Sequence, residues 1–359
     1  MRHWSVVAAS MVAAVAVATG ATLVNSRTAP ATTTTTTTTT TTIPVERPQA
    51  QWRVATSSAR GVMVDYRMID QSGVMFRAIR LRARTTLLRW HVGAIDPPVR
   101  AGVVPADAGP SINWTNEGLA GVVAVFNGGF KVGAHAGGEM VDGLTLAPMV
   151  HGDMTLAIDA AGHWKMGEWA ANFPGPRFHA IAYRQNLAPL VANAKPTAAA
   201  LSANEFIWGD PLKENPQQAR SALGIDTHGN LVYVATLTGV SPALLARALL
   251  AAGAVEGMEL DINPFWPIVG ASFAVLHHPG DYPVQIPYAE HNPTIYNTGW
   301  ERDFFVALAE PNSWRCWWSS AGLRAGVVGV QPQPLRHVCA ASARAAAGAA
   351  TSSPPAPRG

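Results

Sequence analysis

Between positions 51 and 100 apolar and polar residues alternate with a period of two, in VMVDYRMI, GVMFRAIRLRA and TLLRWHVGAI. This alternation predicts three strands joined as a hairpin or meander. Arg80, Arg82 and Arg84 share one face, which the pattern assigns to solvent. SINWTNEGLA then predicts a short helix, and AGVVAVFNGGF an apolar run suited to a strand buried on both faces. That run ends at Asn127, Gly128 and Gly129, a turn expected to bring backbone N–H groups to the surface.

Further along, KVGAHAGGEMVDGLTLAPMVHG reads as a glycine-rich loop carrying Glu139 and Asp142, and MTLAIDAAGHWKMGEW as two short strands. Residues 170–218 lack a clear period and are expected to be loops and short elements anchored by tryptophans such as Trp208. ARSALGIDTHGNLVYVATL predicts a hairpin turning between Asp226 and Asn230. SPALLARALLAAGAVEG predicts a helix, with Ser241 as N-cap, Pro242 in the first turn and Gly253 as the stop. It leads into GMELDINPFW, where strand alternation puts Glu259, Asp261 and Asn263 on one face. Carboxylates so placed repel unless a ligand, a proton or a cation occupies them.

The ends of the chain do not look like folded protein. MRHW followed by about twenty small and apolar residues makes residues 1–30 a signal peptide or an N-terminal membrane anchor. Residues 31–50 hold eleven consecutive threonines between prolines, a linker or stalk with nothing to bury. Residues 341–359 are an Ala, Ser and Pro tail expected to be disordered. A domain at 51–340 remains, exported to the cell envelope and tethered to the membrane with the domain outside, or else secreted. A net charge of +3 with 14% charged residues shows no basic stripe, so nucleic acid is not an expected partner. Cys316 and Cys339 are the two cysteines, and in an exported chain they are expected to form a disulfide.

The order of VFNGGF, a glycine-rich loop with VDGL, ARSALGIDTHGNLVYV and SPALLARALLAAGAVEGMELD resembles the phosphodiester glycosidase domain over about residues 123–302. Asn127, Gly128 and Phe130 match that family's Asn-Gly-x-Phe turn, and Asp142 with Gly143 its Asp-Gly. Arg220, Ala222 and Gly224 match an R-x-A-x-G strand, Leu260 with Asp261 a Leu-Asp pair, and Glu301 with Arg302 the start of a final strand. The family's Leu-Asp runs on into glycines and a serine, whereas here Ile262, Asn263, Pro264, Phe265 and Trp266 follow.

The resemblance implies a single α+β domain, a mixed β-sheet with flanking helices, and hydrolysis of a glycosyl phosphodiester in envelope polysaccharide or glycolipid. Such a reaction needs a cation for the phosphate and carboxylates near the anomeric carbon. Asp261 and Glu259 are the expected catalytic pair, the alternative for Glu259 being a buried ion pair with a nearby arginine, and Arg220 is the expected phosphate ligand, its alternative being a structural pairing with Asp226 or Glu214. Asn127, Gly128, Gly129, Asp142, Asn263 and Trp266 complete the expected substrate-binding set. The same oxygens would suit a divalent cation such as calcium. The alternative function is a non-catalytic envelope module that binds anionic glycan.

Overall fold

The structure is a computed structural model that describes residues 51–310 except 100–102, 135, 210–214 and 216. The expected signal or anchor, the threonine linker, the Cys316–Cys339 disulfide and the C-terminal tail lie outside the described residues. Among those described, no helix is long and apolar enough to cross a membrane.

In chain order the opening strands are β1 Arg53–Ser58, β2 Gly61–Gln71, β3 Val74–Leu81 and β4 Thr86–His91, followed by helix α1 Glu117–Ala120 and strand β5 Val122–Asn127. Then come β6 Glu139–Val141, β7 Leu144–Ala147, β8 Met154–Asp159, β9 Trp164–Glu168, β10 Ala180–Gln185, β11 Val191–Ala192 and β12 Lys195–Pro196. The hairpin of β13 Gln218–Asp226 and β14 Leu231–Val240, helix α2 Pro242–Ala251, and strands β15 Ala254–Ile262, β16 Val269–Leu276, β17 Val284–Gln285 and β18 Phe304–Ala309 complete the fold.

They form an eight-stranded sheet, β1-β2-β3-β14-β13-β15-β11-β12, and two five-stranded sheets, β7-β6-β10-β8-β9 and β17-β16-β5-β18-β4. Every pairing between these strands is antiparallel. The described residues are therefore a mostly β structure, which overturns the expected α+β class with a mixed sheet and flanking helices. The reason is local. Segments 139–147 and 180–196 contain strands of two to six residues, too short for an alternation to register, and they supply strand where loop was expected.

One apolar layer, including Val64, Ile79, Leu223, Tyr233, Met258 and Leu260, packs the large sheet against Phe126 and Phe305 of the β5-containing sheet. A second layer sits on the opposite face of the large sheet, where Leu245 and Leu249 of α2 meet Ala222, Val232 and Val234. Each such leucine contributes about 2 kcal/mol by leaving water. Ser241 caps α2 by accepting the Leu244 N–H at 3.2 Å, so the helix begins where its sequence requires. The arginines at the end of β3 and just beyond it are not simply solvated. Buried Asp65 takes a two-pronged contact from Arg80 at 3.0 and 2.7 Å and a third from Arg82, while Arg84 alone is exposed.

Candidate active site

A register shift in β15 decides where its acids point. Ala222 of β13 pairs with Glu259 and Arg220 pairs with Ile262, so Leu260 and Asp261 together oppose Ser221. This extra residue is a β-bulge, which re-aims the side chains that follow it. Glu259 stays on the α2 side and Asp261 is turned toward the space between the sheets. The sequence expectation of one shared face does not hold.

Their partners confirm the separation. Glu259 is fully buried and ion-paired with Arg220 Nη1 at 2.5 Å. Arg220 also donates from Nε to Val240 O at 2.9 Å and from Nη1 to Trp208 O at 3.3 Å. With 1% of its surface exposed, Arg220 faces the interior rather than a ligand. Asp226, one of its expected structural partners, instead accepts the N–H groups of His228 and Asn230 and closes the β13–β14 turn.

Asp261 accepts the Ile262 N–H at 2.8 Å on Oδ1 and Arg302 Nη2 at 2.9 Å on Oδ2. Arg302 also donates to Gly129 O at 2.8 Å, and its Nε lies 3.6 Å from Asp96 Oδ2. Behind it, Arg184 donates from Nε to Asp303 at 2.8 Å and contacts Glu139 at 2.8 Å. Four carboxylates, Asp96, Glu139, Asp261 and Asp303, thus surround two guanidinium groups, all of them buried.

Burial penalises the charged form of an acid more than the arginines favour it. Burial pushes Asp261 up to about 7, against the opposing pull of Arg302 and the Ile262 N–H. Glu139 is likewise pushed up to about 7 by burial, opposed by Arg184. Asp96 is raised for the same reason, opposed by Arg302. Burial thus favours the protonated form of Asp96, Glu139 and Asp261.

The Asn-Gly-Gly turn serves this cluster from behind. Gly128 N–H donates to Asp303 O at 2.9 Å, Gly129 N–H reaches Asp303 Oδ2 at 3.4 Å, and Phe130 N–H donates to Asn186 Oδ1 at 2.9 Å. These N–H groups point inward, so the expectation that the turn presents them at the surface is corrected. A β-carbon on Gly128 would collide with the Asp303 carboxylate, and one on Gly129 with the Asn186 amide. Glycine is required here by close approach. Asn127 donates to Ser221 Oγ at 3.0 Å and accepts from Tyr233 Oη at 2.7 Å, while Ser221 donates to Asp261 O at 3.2 Å. Asn127 therefore ties β5 to β13 and β14, and through Ser221 to β15, which carries Asp261.

At the rim, the guanidinium carbon of Arg302 lies 5.1 Å from the centre of the Trp266 ring. Trp300 is 6.0 Å from Trp266, and His291 is 4.9 Å from Trp300. Asn263, at φ 85°, accepts the Phe265 N–H at 3.0 Å and turns the chain toward this aromatic wall. Asp142 lies elsewhere, in the β6–β7 turn beside a small cavity lined by Arg89 and Asp107. Among the described residues no group of three or more His, Cys, Asp or Glu side chains is arranged to hold a metal ion.

Of the expected residues, the structure gathers Asp261, Asn127, Gly128, Gly129 and Trp266, with Asn263 at the rim. Glu259 and Arg220 form a separate pair, and Asp142 is remote. Sequence reasoning missed Asp96, Arg184, Asn186, Asp303 and Trp300, and left Arg302 as a motif match without a role. A charge inside otherwise apolar strands, as in AIAYRQ and RDFFVAL, was the signal available for Arg184 and Asp303.

No protein-family model matches the chain, and comparison with curated proteins finds no match. Among solved structures, the catalytic domain of zebrafish N-acetylglucosamine-1-phosphodiester alpha-N-acetylglucosaminidase, auto-inhibited by its pro-peptide, aligns at 12% identity and TM-score 0.42, over 74% of this chain and 89% of that one. A hypothetical protein from Synechocystis aligns at 11% identity and TM-score 0.37, over 69% and 62% of the two chains. A protein from Burkholderia pseudomallei aligns at 12% identity and TM-score 0.34, over 69% and 75%. These likenesses are distant, and the chemistry of the site is read from its own groups.

Proposed function

We propose that the protein is an exported hydrolase that cleaves a glycosyl phosphodiester on the sugar side of the bridging oxygen. The observation that supports this reading most is the contact between Asp261 and Arg302 at the edge of an aromatic wall, on motifs that resemble phosphodiester glycosidases. Arg302 offers a persistent positive charge for a phosphate oxygen. Trp266 and Trp300 offer flat apolar surface to a sugar ring.

Asp261 accepts a proton from water as the water oxygen bonds to the anomeric carbon. The carbon–oxygen bond to phosphate breaks, and the phosphomonoester departs with the bonding electron pair, stabilised by Arg302. A phosphate leaving group needs little protonation, so the demanding task is activation of water. A base with its pKa near 7 suits that task better than an ordinary carboxylate. Glu259, on the other face of β15, is a positioning residue that anchors the strand through Arg220.

The test is turnover of a model glycosyl-1-phosphodiester by the full chain in ¹⁸O-labelled water. The label is expected in the released sugar, and Asp261→Asn is expected to lower kcat/KM by about 10²- to 10⁴-fold. Label in the phosphate would overturn the cleavage position. Binding of the diester without turnover would replace the hydrolase with an anionic-glycan-binding module.

A further inference from the structure

Two edges of the Arg302 guanidinium face carboxylates. Nη2 donates to Asp261 Oδ2 at 2.9 Å and to Gly129 O at 2.8 Å, while Nε faces Asp96 Oδ2 at 3.6 Å. This leaves Nη1 without a hydrogen bond among the described residues, and the Trp266 ring lies against the guanidinium. A ligand oxyanion taken up by Nη1 lies within about 9 Å of both carboxylates, a range over which physiological salt screens charge only in part.

The charges behind that edge do not balance. Asp96 from the chain after β4, Glu139 of β6, Asp261 of β15 and Asp303 just before β18 are four carboxylates, set against the two guanidinium groups of Arg184 and Arg302. Fully ionised, four against two leaves an excess of two negative charges. Hydrogen bonds disperse only part of it, because Asp96 Oδ2, Asp303 Oδ1 and both Glu139 oxygens are buried without one. Of the neighbouring charges along the chain, Lys131 and Glu301 are exposed, and His291 stands partly exposed at the rim beyond Trp300. A ligand with two negative charges is repelled by such an excess about twice as strongly as a ligand with one.

We infer that this excess makes the site select by charge: it admits a monoanionic phosphodiester and rejects a dianionic phosphomonoester, with Asp96 and Glu139 as the residues that set the preference. The inference rests on the reading that Arg302 receives the phosphate group. It also accounts for product release. When Asp261 takes a proton from the attacking water, the cluster loses one negative charge as the departing phosphate gains one, so the total is unchanged. Once that proton passes to solvent, the cluster regains its charge and the phosphomonoester dianion is repelled.

The experiment titrates the full chain with dimethyl phosphate, a monoanion, and with methyl phosphate, whose second proton leaves near pH 6, following each by ³¹P NMR. At pH 8 dimethyl phosphate is expected to bind at least about tenfold more tightly. The gap is expected to narrow at pH 5.5, where both the cluster and methyl phosphate carry less negative charge. That narrowing should persist in His291→Gln, which removes the titrating group at the rim. Asp96→Asn is expected to strengthen methyl phosphate binding at pH 8 at least about threefold while dimethyl phosphate changes less, and Glu139→Gln to act in the same direction more weakly. Arg302→Met should abolish binding of both. Should the preference hold while no glycosyl diester turns over, the hydrolase reading fails and the charge selection stands. Methyl phosphate bound as tightly as dimethyl phosphate at pH 8, a gap that neither Asp96→Asn nor Glu139→Gln narrows, or binding that survives Arg302→Met overturns the charge selection. So does turnover of a glycosyl diester with neither phosphate bound, which leaves the hydrolase reading intact. If Asp96→Asn does not fold, the pH series and Glu139→Gln decide.

Discussion

Glu259 and Asp261 stand two residues apart on β15, both pushed up to about 7 by burial and both facing an arginine, yet their surroundings differ. Glu259 is sealed beneath α2 with Arg220, whose Nε and Nη1 also donate to backbone carbonyls. Asp261 meets Arg302, whose guanidinium lies against a partly exposed tryptophan at the rim. Like pKa shifts thus arise in a strut sealed beneath α2 and in a buried acid whose arginine reaches toward the rim. Perturbed titration locates candidates, and access to a ligand chooses between them.

The contrast can be broken from either side. The largest effect belongs to Arg302→Met, which removes the charge proposed to bind phosphate and leaves Asp261 without its ion pair; kcat/KM for a glycosyl phosphodiester is expected to fall by at least about 10³-fold in steady-state assays. On the strut side, Arg220→Ala strands the Glu259 charge and is expected to cost about 3–5 kcal/mol in denaturant unfolding. The double substitution Arg220→Met with Glu259→Leu removes both charges and is expected to recover most of that loss. Failure to recover would mean that the pair does more than satisfy its own charges.

Gly128→Ala pushes a methyl group into the Asp303 carboxylate and is expected to cost about 1–3 kcal/mol, with some loss of activity through displaced Arg184. Stability should also depend on pH. An acid whose folded pKa is raised binds its proton more tightly in the folded than in the unfolded state, so its contribution is lost as pH rises from the unfolded to the folded pKa. For Glu259 that window runs from about 4.5 to about 7. Tm is expected to be higher at pH 5 than at pH 8, and Glu259→Gln to flatten the difference. The smallest effect is Ser241→Ala, about 1 kcal/mol from the cap of α2.

Long alternating or helical segments were legible in the sequence. The β2–β3 hairpin, the buried strand β5, the β13–β14 hairpin and α2 with its Ser241 cap all follow from local pattern. The bulge in β15 was not, because MELDI alternates without a break and both of its faces are buried. Nor could the inward use of the Asn127–Phe130 turn be read, since its N–H partners Asp303 and Asn186 are supplied from far along the chain. Asp261 was singled out by a motif, whereas its contact with Arg302 depends on how β15 meets the chain leading into β18.

The central claim is that these two neighbouring acids have different work, and one paired measurement tests it: kcat/KM and Tm for Asp261→Asn and Glu259→Gln, made in the full chain and assayed on the same glycosyl phosphodiester. Asp261→Asn should lose at least a hundredfold in kcat/KM while remaining folded, and Glu259→Gln should shift Tm while keeping kcat/KM within about tenfold of wild type. A folded Asp261→Asn protein that retains full activity, or a Glu259→Gln protein that loses activity with its Tm unmoved, would contradict the account.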